Sequence, residues 1–341
     1  MISNSMSTAA SGLFAQRSVV DTISKNIANV NSEGYKRLNA TTQEIDGGAG
    51  VTVTISQEDQ PWVDRNLQNS SMDLASSVSV KDSIDRMDNL MFNSNVETSY
   101  SSFLTAAKNL QSFPESKQFL QEFNSAGSNL NDAINQTATG FVDLRNTIQN
   151  RVDLQQVQLD ALKQQLTQIS SQGAINNDNA NQVSMIQQRI ASLTGSVTGY
   201  NRFLNSIMPP ITKDFTAITT DLKNTINAAG GQVMFDLTGG WNNQTSVDNN
   251  SVVNNQKVLD FPDEIGRMKT LIGSVANKAI LDNKWSQNNF DQASKDYNNI
   301  YGVDLEKETV KLLDAQRLYE ANSKVLQASD GMIGTLLDIM G

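Results

Sequence analysis

Ile2, Met6, Ala9, Leu13, Gln16, Val20, Ile23, Ile27 and Val30 recur at alternating steps of four and three, and only Gln16 among them is polar. This is the 3.5-residue period of a coiled-coil seam, and it commits the start of the chain to a helix with one narrow apolar stripe. The far end carries a broader version. Leu305, Leu312, Tyr319, Leu326, Ile333 and Met340 lie seven apart, and so do Leu318, Val325, Met332 and Ile339, one position earlier. No helix breaker falls between Leu305 and Gly331, with Gly334 close behind. Both helices are rich in Ser, Asn and Ala and are marginal alone, so each needs the other or a second chain. Between Met1 and Arg37 the cations Arg17, Lys25, Lys36 and Arg37 outnumber Asp21 and Glu33, whereas acids outnumber cations from Val303 to Gly341. Opposite signs favour pairing of the two ends, modestly where exposed.

The first stripe stops in NIANVNSEGYKR, Asn26 to Arg37. Asn29, Asn31 and Ser32 prefer turns, and Gly34 suits a left-handed cap. Tyr35, Lys36 and Arg37 then lie beyond the helix. This stretch reads as an elbow.

The middle of the chain divides by pattern. Residues 37–83 read as an extended or β connector, with GGAG at 47–50 breaking the chain and Val51 to Ile55 (VTVTI) alternating as a strand. Residues 84–207 read as a helical bundle, restarted at Pro114. Its clearest part is a hairpin over 148–207, with seams from Ile148 to Ile169 and from Val183 to Ile207 joined by the polar turn Ser171 to Gln182 and closed by Pro209 and Pro210. Residues 208–257 read as a short helix (Phe215 to Ala229), then glycines, VMFDL and an Asn-rich loop with a strand or two. Helical character returns over 258–301. The expected fold is mainly α and elongated: coiled-coil-like terminal helices, 1–36 and 302–341, form a discontinuous inner domain beside a helical bundle and a small β element.

The composition excludes much chemistry. The 341-residue chain has no Cys and no His, which removes disulfides, thiolate sites and any imidazole-based triad or general base. A net charge of -10 argues against nucleic acid. No apolar run of about 18 residues predicts a membrane span. The opening MISNSMSTAASG lacks the cationic and apolar regions of a cleavable signal, so none is expected. No phosphate-cradling glycine pattern occurs. Asp304, Glu306 and Glu308 read as helix-start carboxylates at the positive end of the dipole. Asp59 and Asp64, around Pro61-Trp62, read as a solvated loop. No cofactor, metal or catalytic residue is expected.

With the preceding SGLFAQRSVVDTISK, the elbow closely resembles the N-terminal signature of flagellar rod, hook and hook-associated axial proteins, N-x-A-N-x-x-[ST]-x-G-[YF]-K. Asn26, Ala28, Asn29, Ser32, Gly34, Tyr35 and Lys36 match it in order. The closing segment Gly302 to Ile339 is similar to that family's C-terminal pattern, with Gln316, Tyr319, Ala321, Asn322 and Leu326 in place. Rod members of the family are short and hook members have large β-rich middles. The helical middle here is closer to the hook-associated members at the hook–filament junction. The resemblance implies a structural adaptor, not an enzyme, at the distal end of the hook. It implies self-assembly into a ring or helical array, contacts with hook protein and the next hook-associated junction protein, and export by the flagellar type III system without cleavage. It also implies a cytoplasmic chaperone over the C-terminal helix, and ends that order on assembly. The expected assembly residues are Ile2, Met6, Leu13, Val20, Ile23, Asn26, Ile27, Asn29, Val30, Gly34, Tyr35 and Lys36 at the first end. At the second they are Leu305, Leu312, Gln316, Tyr319, Asn322, Val325, Leu326, Met332, Ile333, Leu336 and Ile339. The alternatives left open are another axial rod or hook component, or a secreted coiled-coil interaction protein.

Overall fold

The computed structural model describes residues 2–32, 34–45, 50–171, 177–230, 235–236, 240–241 and 252–340. The chain is mainly α with a small β element. In order it forms α1 (Ile2–Ala28), β1 (Leu38–Ile45), β2 (Gly50–Gln57), α2 (Pro61–Phe92), α3 (Val96–Ser112), α4 (Lys117–Ser171) and α5 (Asn177–Arg202). A π-helical turn (Phe203–Ile207), α6 (Met208–Gly230), β3 (Phe235–Asp236), β4 (Gly240–Trp241), α7 (Gln256–Tyr301) and α8 (Leu305–Met340) complete it. Strands β1 and β2 form an antiparallel ribbon from Leu38 opposite Gln57 to Ile45 opposite Gly50. The chain splits into two compact units. One holds Met1–Ser71, Leu159–Ser192 and Asn288–Gly341, and the other Met72–Gln158 and Leu193–Gln287.

The second unit has a core built from helices. Ile84, Met87, Met91, Phe103, Leu130, Ile134, Phe203, Phe215, Ile226 and Ile272 are among its fully buried side chains. Some of its aromatics are placed in pairs, Tyr100 with Phe261 at 5.0 Å and Phe103 with Phe123 at 5.2 Å between ring centroids, the tilted geometry that aromatic quadrupoles favour. Elsewhere small residues replace bulk. A Cβ added at Gly195 or Gly199 of α5 would overlap the carbonyl oxygen of Met72 or Ser76 in α2, so these backbones touch. Ser79 and Ser196 share a hydroxyl–hydroxyl bond of 2.9 Å across the same contact.

Several sequence expectations change here. The connector expected over 37–83 is helical from Pro61 onward. Its buried side carries Ser70, Ser71, Ser79 and Ser83 among Val63, Leu67, Val80 and Ile84, so it reads as polar although it is buried. The strand expected at Val51 to Ile55 is β2, and its partner β1 was missed because LNATTQEI barely alternates. Pro209 and Pro210 do not close a unit. The helix widens into a π turn just before them, with the Met208 N–H bonded to the Phe203 carbonyl, and runs on as α6. The turn expected over Ser171 to Gln182 is helical again by Asn177, and residues 172–176 lie outside the described part. The Asn-rich stretch 242–251 lies outside it too, while the short strands before it, β3 and β4, pair with each other. Gly331 and Gly334 do not end α8.

α7 contains Pro262 in its interior. A proline there removes the N–H that would bond the carbonyl four residues back, Val258. The buried Tyr100 hydroxyl of α3 donates to that carbonyl instead. Burial, with Asp260 nearby, pushes the Tyr100 pKa up to about 12, so the donor stays protonated at any ordinary pH. Tyr100→Phe strands a buried carbonyl and should cost about 1–3 kcal/mol. In a Pro262→Ala background, where the substituted backbone supplies its own N–H, the same change should cost distinctly less. Urea unfolding of the four proteins of this double-mutant cycle measures the coupling, and equal losses in both backgrounds would refute the substitution of one donor for the other.

Candidate functional site

The first unit is organised around the end of α1. The last turn of that helix is closed locally: Asn29 Nδ2 donates to the Lys25 carbonyl at 2.9 Å, and Ser32 Oγ donates to Asn29 Oδ1 at 3.2 Å. The backbone bonds Ser32 N to Asn29 O (2.9 Å) and Tyr35 N to Ser32 O (3.1 Å) then turn the chain back. Gly34 holds φ +77° within this reversal. It lies six residues beyond the helix end, so it serves the second turn rather than the cap expected of it. A side chain there would also press on the Met185 backbone of α5.

Asn26, 1% exposed, sits at the centre of the elbow. Its Nδ2 donates to the Leu38 carbonyl (2.9 Å) and to Glu308 Oε2 (3.0 Å). Its Oδ1 accepts from the Tyr35 hydroxyl and the Leu38 N–H, both at 2.9 Å. One amide side chain thus ties α1 to the elbow, to the first residue of β1 and to α8. Glu308 is as deeply buried, and its second oxygen takes Lys311 Nζ at 2.8 Å. Asp304 caps α8, accepting from the N–H groups of Glu306 (3.1 Å) and Lys307 (3.2 Å). Those bonds, chiefly from Lys307, hold its carboxyl below the usual carboxylate range.

Lys36 turns inward as well. Its Nζ lies 2.7 Å from Asp64 Oδ2, 3.6 Å from Asp59 Oδ1 and 4.5 Å above the Tyr301 ring. Its backbone is clamped by Asn181, whose Oδ1 accepts the Lys36 N–H at 2.9 Å and whose Nδ2 donates to the Lys36 carbonyl at 3.1 Å. Tyr297 donates to the Gly34 carbonyl at 2.8 Å and meets Tyr301 edge-on at 4.7 Å. Val63, Leu67, Ala293, Tyr297 and Tyr301 form the apolar floor.

α1 packs along α8. Asn26 meets Glu308, and Gly12 faces Asn322 so closely that an added Cβ would lie 2.7 Å from its amide nitrogen. Fourteen residues separate each pair of positions, and they run in opposite directions, so the helices are antiparallel. The buried residues of α1, which packs on both α8 and the β1–β2 ribbon, are Ala9, Gly12, Ala15, Gln16, Thr22, Ile23 and Asn26. The heptad positions Met6, Leu13, Val20, Ile27 and Val30 are half-buried at its rim, as is Asn29, and the Ile2 side chain lies outside the described part. α8 turns Glu308 and Ala315 inward, with Leu312, Asn322, Leu326 and Ile333 half-buried. Leu305, Gln316 and Tyr319 are exposed. So is the whole second heptad line: Leu318 (52%), Val325 (47%), Met332 (54%) and Ile339 (81%), with Leu336 beside it.

The expected assembly residues differ in exposure. Asn26, Gly34, Tyr35 and Lys36 are buried within the chain, whereas the second line of α8 is exposed. Sequence reading missed Glu308, taken as a helix-start acid, and Asp64, taken as a solvated loop residue. It also missed Asn181, Tyr297 and Tyr301. Only the spacing of the two tyrosines, four apart near a helix end, hinted at a shared face. No cluster of acidic residues that could hold a metal, and no helix long and apolar enough to cross a membrane, occurs among the described residues.

The matches to known families fall on this same unit. Residues 6–36 match the family described as flagella basal body rod protein. Residues 296–339 match the C-terminal family described as flagellar basal body rod FlgEFG protein. No curated protein and no solved structure matches the chain. Rod-type domains at both ends support a structural, axial component of the bacterial flagellum. They contain Asn26, Gly34, Tyr35 and Lys36 on one side and Tyr297, Tyr301 and Glu308 on the other, most of the elbow's polar network.

Two outcomes follow from this geometry. Gly34→Val puts a β-branched residue in the left-handed region against the Met185 backbone and should lower stability by at least about 1–2 kcal/mol, read as an earlier urea midpoint. Burial raises the pKa of Tyr297 and Tyr301 as it does that of Tyr100. The unfolded chain then loses these protons near pH 10 while the folded chain keeps them, so stability is intact below pH 10 and falls as pH rises above it. Urea midpoints between pH 9 and 11.5 should decline, and the decline should shrink in Tyr297→Phe.

Proposed function

We propose that this chain is a hook–filament junction component of the flagellum, of the hook-associated protein 1 type, which assembles at the distal end of the hook. The observation that carries this reading is the helical second unit that lies in sequence between two rod-type ends, where a rod component would be short and a hook component β-rich. The mechanism is geometric. The paired terminal helices leave one apolar line of α8 uncovered from Leu318 to Ile339, about 31 Å at 1.5 Å per residue. The half-buried rim of α1 runs beside that pair. Neighbouring copies cover these lines in a heterologous array, with hook protein below and the next junction protein above. Before export through the type III system, a chaperone covers the same line of α8, which is too apolar to stay bare in the cytoplasm.

A second reading, another axial rod or hook component, is favoured by one observation, the rod description of the families matched at both ends. Electron microscopy of isolated hooks incubated with the purified protein separates the two. An added zone at the distal hook end alone is the expected result. Binding along the rod or at the proximal end would replace the junction reading with the rod one, and no binding at all would oppose both.

A further inference from the structure

We propose that the outward face of α1 in one copy, Phe14, Arg17 and Asp21, docks into a groove beside α8 in the next copy. The contact rests on the reading above that copies of the chain form a heterologous array. The groove, about 660 Å³, lies in the first unit between α1, β1 and α8. Val19 and Ile23 of α1 and Ala40 of β1 line it, and α8 contributes Lys311, Asp314 and Leu318. Phe14 is 71% exposed, and at about 100° per residue it lies on the side of α1 opposite Ile23. Arg17 and Asp21 follow it on that side, both exposed, and neither has a charged partner among the described residues. The face and the groove are thus on opposite sides of α1. A two-fold dimer could not satisfy both at once, so the contact is head-to-tail and propagates.

The charges fix its direction. Along α1 the face runs apolar, cation, anion at Phe14, Arg17 and Asp21. Backwards along α8 the groove edge runs apolar, anion, cation at Leu318, Asp314 and Lys311, and each series spans one heptad. Antiparallel docking sets Phe14 on Leu318, Arg17 on Asp314 and Asp21 on Lys311. Parallel docking would put Phe14 on Lys311 and Asp21 on Leu318. The antiparallel choice is also the one an array needs. Within the chain α1 is antiparallel to α8, so a helix antiparallel to α8 runs parallel to the receiving copy's own α1, and copies in a head-to-tail array point the same way. The side chains of Asp314 and Lys311 are 63% and 50% exposed, so their partners on the same helix, Arg317 and Glu308, leave room for a second. The aromatic ring supplies most of the affinity, and the charges set orientation. The match ends at Lys25, the next residue of the face, which would meet Lys307, already paired with Asp304 at 3.2 Å.

The chain contains no cysteine, so introduced ones report without background. Full-length Asp21→Cys protein is mixed with Lys311→Cys protein and oxidised. The yield of mixed disulfide is compared with that of Asp21→Cys protein and Leu154→Cys protein, Leu154 being an exposed site of α4. The docked pair should exceed this control about tenfold, and Phe14→Ala in the first protein should remove the excess. Arg17→Asp in the first protein should lower the yield about threefold, and Asp314→Arg in the second should restore it. A yield at the control level overturns the proposal. So does a Phe14→Ala or Arg17→Asp protein that cross-links as before, or a larger yield of Asp21→Cys protein linked to itself. An added zone on isolated hooks with control-level cross-linking overturns this contact alone. The expected cross-links without such a zone support the contact and count only against the junction position.

Discussion

The first unit depends on the Asn26 side chain. An amide offers two donor hydrogens and a carbonyl oxygen with two acceptor sites, and here all four are used: by Leu38 twice, by Tyr35 and by Glu308. The Leu38 backbone groups are bonded through this amide where the chain enters the β ribbon, so buried polar groups that would otherwise be stranded are satisfied. Because the partners come from the elbow, from β1 and from a helix 282 residues away, one residue defines where α1 ends, where the ribbon begins and how α8 lies.

Around that point the chain uses little bulk. Aromatics are 6% of the sequence, and the buried ones include pairs in the second unit and the Tyr297–Tyr301 floor under the elbow. Elsewhere glycine and serine let helix backbones approach, as at Gly195, Gly199, Ser79 and Ser196, so close contact replaces large side chains as the source of dispersion energy. Tyr100 shows the same economy. One ring packs on Phe261, and its hydroxyl makes up for the donor that Pro262 lacks.

This division of labour bears on function. The residues that most identify the flagellar resemblance, Asn26, Gly34, Tyr35 and Lys36, are buried in their own chain. Their pattern specifies an elbow closed within the chain, while the exposed apolar line of α8 carries no such signature. Leu318, Val325, Met332 and Ile339 are an ordinary heptad line. What makes them available is that the neighbouring line, with Glu308 and Ala315, already faces α1.

The periodicity of the ends was legible in the sequence because a 3.5-residue repeat has one structural meaning over this length, and the elbow because Asn, Ser and Gly have strong turn preferences. The absence of cysteine and histidine bounded the chemistry. Which line of α8 would be covered was not legible, because the buried one, Glu308, Ala315, Asn322 and Ser329, is largely polar and lies beside both apolar heptad lines, and only the tertiary partners select it. The serine-rich start of α2 was misread for the converse reason: its burial comes from close approach of another backbone, which leaves no apolar trace. Glu308, Asp64 and Asn181 read as surface residues because a polar side chain looks the same in sequence whether water or a buried amide satisfies it. Local pattern thus determined the terminal helices and the elbow that ends the first of them. Only the tertiary structure, by bringing partners 28 to 282 residues apart within hydrogen-bonding distance, decided which polar groups are internal and which face of α8 is left exposed.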